Sequence, residues 1–128
     1  MKEFYQDTYP VENKLERVDY SWEKKLVLDI GCNIGGVGKY VFERGCSGYL
    51  GVDLNEEFIA EARRRYGYRY KVKDSLEAVR EEVGTFNVLI ALGILHHLSD
   101  ATVKKIFSLW NKDIIFEVPT GEIEYKEY

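Results

Sequence analysis

The stretch Lys25–Tyr40, "KLVLDIGCNIGGVGKY", decides the fold. An apolar run closes on Asp29 and Ile30, breaks at Gly31 into a glycine-rich turn, and resumes at Gly36 with helical spacing of Val37, Tyr40 and Val41. Such a pattern predicts a buried strand, a tight connection and a helix. The rhythm repeats outward: "GYLGVDL" reads as strand and "NEEFIAEARRRYG" as helix, then "YRYKVK" as strand, "SLEAVREEVG" as helix and "FNVLIAL" as strand. A helix opens near Ser99 and "DIIFEV" follows as a fifth strand, stopped by Pro119. Strands alternating with helices are the mark of crossover units in a parallel sheet. Asn55 as cap, Glu56 and Glu57 in the first turn, Arg63, Arg64 and Arg65 in the last and Gly67 as the stop delimit the second helix of this series. Ahead of it all, Val11, Leu15, Val18 and Trp22 recur at helical spacing and predict one amphipathic helix over about residues 11–24.

Composition fits a single domain across residues 1–128, since 45% hydrophobic and 31% charged content with two prolines is that of a compact globular chain. A net charge of -4 gives no general attraction to phosphate backbones or anionic membranes. No run is long and apolar enough for a membrane span, and the start lacks the apolar core of a signal peptide, so a cytoplasmic location is expected. Cys32 and Cys46 have neither CxxC nor metal-ligand spacing and read as small apolar residues; no metal site is expected. The stretch "RRRYGYRYKVK" interleaves base and tyrosine as an RNA surface would, but helix-end complementation and edge-strand lysines account for it better.

A glycine turn after the first strand lets backbone approach a ligand and presents helix N-terminal amides to it, which suits a nucleotide-like cofactor. It also suits a plain strand-to-helix connection. A dinucleotide fingerprint aligned on Gly31 and Gly36 would put Asn33 where the second glycine belongs, so that reading fails at its most demanding position. "VLDIGCNIGG" instead resembles motif I of the class I S-adenosylmethionine-dependent methyltransferases, an acid followed by alternate glycines, here Asp29, Gly31, Asn33 and Gly35. Asn33 departs from the usual glycine, but asparagine tolerates positive φ, provided its side chain points away from the cofactor. "GVDLNEEFIAEARRR" is similar to the family's second motif, "KVKDSLEAV" to its third and "FNVLIALGILHHLSD" to the segment beyond, with Asn87 where an Asp is common.

The resemblance spans roughly Lys25 to Val118 and implies a Rossmann-like doubly wound α/β sheet of five parallel strands in the order 3-2-1-4-5. It implies that S-adenosylmethionine, left as S-adenosylhomocysteine, is held by Asp29, Gly31, Cys32, Asn33, Gly35, Asp53, Leu54, Asp74, Ser75 and Leu92. Asp53 would take the ribose hydroxyls; Asp74 and Ser75 would read the adenine edge, although either can simply cap the next helix. His96 and His97 lie near the place of the methyl group and are the candidates for a general base, packing under a loop being the rival reading. Residues 1–24, with Phe4, Tyr5, Tyr9, Tyr20 and Trp22, are a candidate lid.

Family members continue past strand five into an antiparallel strand pair, which this chain is expected to lack; "GEIEYKEY" is strand-like but short. An uncovered fifth strand favours a homodimer or a partner chain that completes the fold. Methyl transfer to a small molecule is the first functional expectation. A non-catalytic cofactor-binding scaffold and a fragment acting on RNA or protein are the alternatives.

Overall fold

The computed structural model describes residues 4–118 and 122–126. Its centre is a six-stranded sheet: β1 (Leu26–Ile30), β2 (Gly48–Asp53), β3 (Tyr70–Val72), β4 (Val88–Ala91), β5 (Asp113–Glu117) and β6 (Ile123–Lys126), in the order β3-β2-β1-β4-β5-β6. The first five strands are parallel, as the alternation of apolar runs with helical patterns requires.

β6 corrects the sequence-based expectation of five parallel strands without an antiparallel pair. It runs antiparallel to β5, pairing Ile115 with Tyr125 and Glu117 with Ile123, and the Val118 N–H donates to the Glu122 carbonyl at 2.9 Å. Ile123 packs against the core, and the Tyr125 ring stands edge-on to Tyr20 at 5.2 Å. Four residues suffice because β5 supplies an apolar edge that otherwise leaves backbone groups unpaired. The edge expected to recruit a second copy is thus covered by the chain itself. Pro119, expected to end the fifth strand, lies outside the described residues.

Six helices cover the sheet: α1 (Tyr5–Thr8), α2 (Glu12–Leu15), α3 (Gly36–Phe42), α4 (Glu56–Tyr66), α5 (Ser75–Glu82) and α6 (Asp100–Leu109). One face of the sheet, through Val27, Ile90 and Ile115, packs on Val37 and Val41 of α3, Ile59 and Ala62 of α4 and Leu15 of α2. The other, through Leu28, Ile30 and Leu89, packs on Ala78 and Val79 of α5 and Ile106 of α6, with the buried Trp110 beyond. Side chains of consecutive strand residues alternate between these two cores, which is why the strands read as continuous apolar runs. Helix boundaries follow their caps: Asn55 accepts from the Glu57 and Phe58 amides, and Ser99 accepts from the Thr102 amide.

The single helix expected over residues 11–24 is absent. α1 and α2 are one turn each, and beyond them the chain extends so that Trp22 is buried while the Tyr20 hydroxyl donates to Asp113 at 2.8 Å. Long-range anchoring to β5 overrides the local periodicity. Lys24, at φ 62, turns the chain into β1.

One cross-strand row positions the glycine turn. Tyr70 pairs with Gly51, and Gly51 with Asp29, so the three share a face of the sheet. Gly51 has no side chain, and the Tyr49 and Tyr70 rings, 5.5 Å apart, occupy the space. A Cβ at Gly51 would stand 2.7 Å from both the Tyr49 hydroxyl oxygen and Tyr70 Cδ1. Gly51→Ala is therefore expected to lower unfolding stability by about 1–3 kcal/mol through overpacking. A shifted urea midpoint with an unchanged m-value would show it; an unchanged midpoint would mean that the rings move aside freely.

Candidate functional site

The carboxyl ends of β1, β2 and β4 open into a cleft of two adjoining compartments. The first, of about 350 Å3, is lined by Gly31, Asn33, Asp53, Leu54, Phe58, Leu92 and His97, and is roofed by Tyr5, Gln6, Tyr9, Val11 and Lys14. The second, of about 480 Å3, adds His96, Glu117 and Val118 and shares Tyr5, Asn33, Phe58, Gly93 and His97 with the first. Both lie within the size range of small-molecule sites.

The turn between β1 and α3 is built from left-handed residues, Gly31 at φ 64, Asn33 at φ 54 and Gly35 at φ 88. Asn33 thus adopts the conformation its residue type tolerates. Its Oδ1 accepts from the Ile34 N–H at 2.9 Å, turning the amide back onto the loop, although Asn33 still borders both compartments. Gly31 is required for a second reason, because a Cβ there would meet Ile94 Cβ at 2.5 Å; the loops after β1 and β4 interlock at this point.

Asp53 closes β2 and ties the site together. Oδ2 accepts from the Asn33 N–H at 3.0 Å and Oδ1 from the Asn55 N–H at 2.9 Å. Each oxygen keeps a further lone pair for a ligand hydroxyl. Asp29 behaves differently. It is 1% exposed, lines neither compartment, and accepts from the Tyr49 hydroxyl at 2.5 Å. Burial pushes its carboxyl up to about 8, against the opposing Tyr49 hydrogen bond and with the Asp53 charge adding to the rise. Burial likewise raises the Cys32 thiol, whose side chain faces the core, leaving the backbone of Cys32 as its part in the turn. Cys32 and Cys46 are both buried and free, as expected of small apolar residues.

The structure brings Gly31, Asn33, Asp53, Leu54, Leu92 and His97 into the first compartment, and His96 into the second. Gly35 lies beneath the turn, against Tyr70. Asp74 and Ser75 are not among the lining residues: Asp74 caps α5 by accepting from the Glu77 N–H at 3.1 Å, and Ser75 is buried. The two histidines sit on a short 3-10 turn, Leu95–His97, exposed, with ring centroids 3.9 Å apart. Of the candidate lid, Tyr5 and Tyr9 do roof the cleft, whereas Phe4 and Trp22 are buried in packing.

Gln6, Lys14, Phe58 and Glu117 line the cleft without having been singled out in the sequence. Phe58 and Glu117 carried a signal, lying at the first turn of α4 and the last position of β5, where the topology places ligands. Lys14 and Glu117 form an ion pair at 3.1 Å that joins α2 to β5, and only the folded chain brings these two together. Gln6 carried no local signal at all. Among the described residues no group of three or more His, Cys, Asp or Glu could hold a metal, and no helix is long and apolar enough to cross a membrane.

Comparison with known proteins agrees with this geometry. The sequence model described as "Methyltransferase domain" matches residues 27–112. The chain belongs to this methyltransferase family. Its motifs and its sheet are those of the class I, S-adenosylmethionine-dependent members with a Rossmann-like core. A solved structure from Listeria monocytogenes, named as an S-adenosylmethionine dependent methyltransferase, superposes with a TM-score of 0.69 at 27% identity, covering 87% of this chain and 55% of that one. Magnesium protoporphyrin IX methyltransferase from Synechocystis PCC 6803, solved with bound S-adenosylhomocysteine, shares the fold with a TM-score of 0.61 at 23% identity, over 87% of this chain and 53% of that one. The malonyl-[acyl-carrier protein] O-methyltransferase of Enterobacter lignolyticus (strain SCF1) is 38% identical over 53 residues, 41% of this chain and 21% of that enzyme. The methyltransferase chain described here thus spans about half the length of these solved structures.

Asp29 gives the site a measurable pH signature. Its carboxyl keeps its proton in the folded chain up to about 8 but loses it near the ordinary carboxylate value once unfolded, so folding takes up a proton in between. Stability from this group is present at low pH and falls as pH rises through that window, by at most about 1.4 kcal/mol per pH unit. Asp29→Asn, which can still accept from Tyr49, should gain stability over the wild type progressively from about pH 4 to 8 and level off above it. Urea unfolding of both proteins across this range measures the effect; parallel curves would show that Asp29 stays ionised.

Proposed function

We propose that the chain transfers the methyl group of S-adenosylmethionine to a small-molecule acceptor. The observation that carries this reading is the continuity of the cleft, in which His97 and Asn33 border both compartments at the switch point of the sheet. The donor set fits the cofactor: Asp53 offers two free lone pairs to a pair of ribose hydroxyls, and Leu54, Leu92 and Phe58 supply apolar surface for a flat base. Gly31 and Asn33 bring backbone close to the amino-acid end. When bound, the cofactor supplies an activated methyl on a sulfonium. The chain's own residues then hold the acceptor in line and exclude water, Tyr5 and Tyr9 contributing the roof.

The acceptor belongs in the second compartment, beside His96 and His97. The Enterobacter relative, by name an O-methyltransferase, favours an oxygen nucleophile. A carboxylate has no proton to lose, whereas a hydroxyl does, and for a hydroxyl His97 takes the role of general base. On this reading the protein works in the cytoplasm.

Two measurements test the proposal. Titration with S-adenosylhomocysteine should give binding that Asp53→Ala weakens on the order of tenfold to a thousandfold, because one or two hydrogen bonds to a charged acceptor are lost. Equal affinity would remove Asp53 from the site. Turnover with labelled S-adenosylmethionine and a panel of small carboxylic acids, phenols and alcohols should reveal the acceptor. His97→Gln should then lower kcat about a hundredfold or more for hydroxyl acceptors and spare carboxylates. No turnover with any acceptor, together with intact cofactor binding, would identify a scaffold instead.

A further inference from the structure

The geometry points to Gln6 and Tyr70 as positioning residues that clamp the single peptide between Gly35 and Gly36, and so set the cofactor turn and tie the cleft's roof to it. This inference rests on the cofactor reading given above.

The two hydrogen bonds meet on one rigid unit. The Tyr70 hydroxyl donates to the Gly35 carbonyl at 3.0 Å from the core side, and Gln6 Oε1 accepts from the Gly36 N–H at 3.1 Å from the side of the N-terminal segment. Carbonyl and N–H of one trans peptide point in opposite directions, so holding both ends fixes the plane. Gln6 Nε2 also reaches the Cys32 carbonyl, at 3.5 Å. No hydrogen bond or ring contact joins Gln6 to Tyr70 among the described residues; they meet only through this peptide.

The space for the clamp is built into three elements. A Cβ on Gly35, at φ 88, would lie 2.6 Å from the Tyr70 ring; one on Gly38 would lie 2.6 Å from its hydroxyl oxygen, and one on Gly51 2.7 Å from its Cδ1. Three glycines, on the turn, on α3 and on β2, thus make room for one side chain. Tyr70 is buried, and its hydroxyl donates to the turn's own backbone. The turn needs such support because Gly31 and Gly35 cost entropy to fix, while Asn33 holds a left-handed conformation that only glycine adopts freely. From the other side, residues 4–15 form a strap whose remaining ties go elsewhere. Asp7 accepts from Arg65 Nη1 and Nη2 at 2.8 and 3.0 Å, and Lys14 pairs with Glu117. Gln6 is the strap's hydrogen-bonded contact with the glycine turn, and Tyr5 and Tyr9, which roof the cleft, flank it. Ordering the turn around a ligand therefore also orders the roof.

The test is a double-mutant cycle on the affinity for S-adenosylhomocysteine, measured by calorimetry with wild type, Tyr70→Phe, Gln6→Met and the double variant. Each single variant keeps the shape of its side chain and should weaken binding about three- to tenfold, the effect of one lost hydrogen bond. The double variant should lose clearly less than the product of the two, because either substitution alone releases the same peptide. Two residues with separate structural roles would instead combine multiplicatively. As a second readout, chymotrypsin cleavage after the exposed Tyr5 should be slowed by S-adenosylhomocysteine in the wild type and not in Gln6→Met. Wild-type binding with unchanged or multiplicative losses overturns the clamp and leaves the functional reading standing. Failure of the wild type itself to bind S-adenosylhomocysteine overturns that reading, and the clamp with it.

Discussion

The space left by Gly51 between Asp29 and Tyr70 is the constraint on which the cleft depends. In that cross-strand row a side chain at the middle position would exclude the two tyrosine rings, and with them the hydroxyls that reach Asp29 and the Gly35 carbonyl. The glycine turn is therefore held from below by aromatic packing rather than by its own sequence. An adaptable loop becomes a fixed one because a buried hydroxyl must find a partner, and the Tyr70 hydroxyl finds the Gly35 carbonyl in the turn.

Charge is distributed to the same end. Asp53 stands at the cleft with both oxygens on backbone amides, while Asp29, two residues before the turn, is withdrawn into the core where burial opposes its ionisation. Two carboxylates near one small site would repel each other, and burial of Asp29 leaves Asp53 as the one of the two that faces the cleft. The family resemblance sets both acids side by side as cofactor residues; the fold gives them different work.

The cleft is assembled from distant segments. Residues 5–14 roof it, the loops after β1, β2 and β4 make its floor, and Glu117 at the end of β5 supplies a far wall joined to Lys14 across the chain. The covered edge of β5 follows the same economy of parts. β6, four residues long, pairs with β5 and packs Ile123 inward, so the sheet carries an antiparallel strand where the sequence suggested an open edge. Short strands of this kind have too few alternating positions to stand out on their own, and their pairing is decided by the partner strand.

What the sequence determined by itself was whatever depends on local periodicity and capping: the parallel strands from Leu26 to Glu117, the helix bounded by Asn55 and Gly67, the left-handed Asn33 and the placing of Asp53 at the end of β2. Each follows from residue type and spacing within a few positions. What only the tertiary structure decided involves partners far apart in the chain. The helix expected over 11–24 gave way to an extended path because Trp22 and Tyr20 find their places on the sheet. Asp29 withdrew to Tyr49, and Gln6 reached the Gly36 amide. In a sequence, a glutamine thirty residues from its hydrogen-bond donor looks like any other exposed polar residue. Its meaning comes from long-range packing, which brings together groups that no local pattern relates.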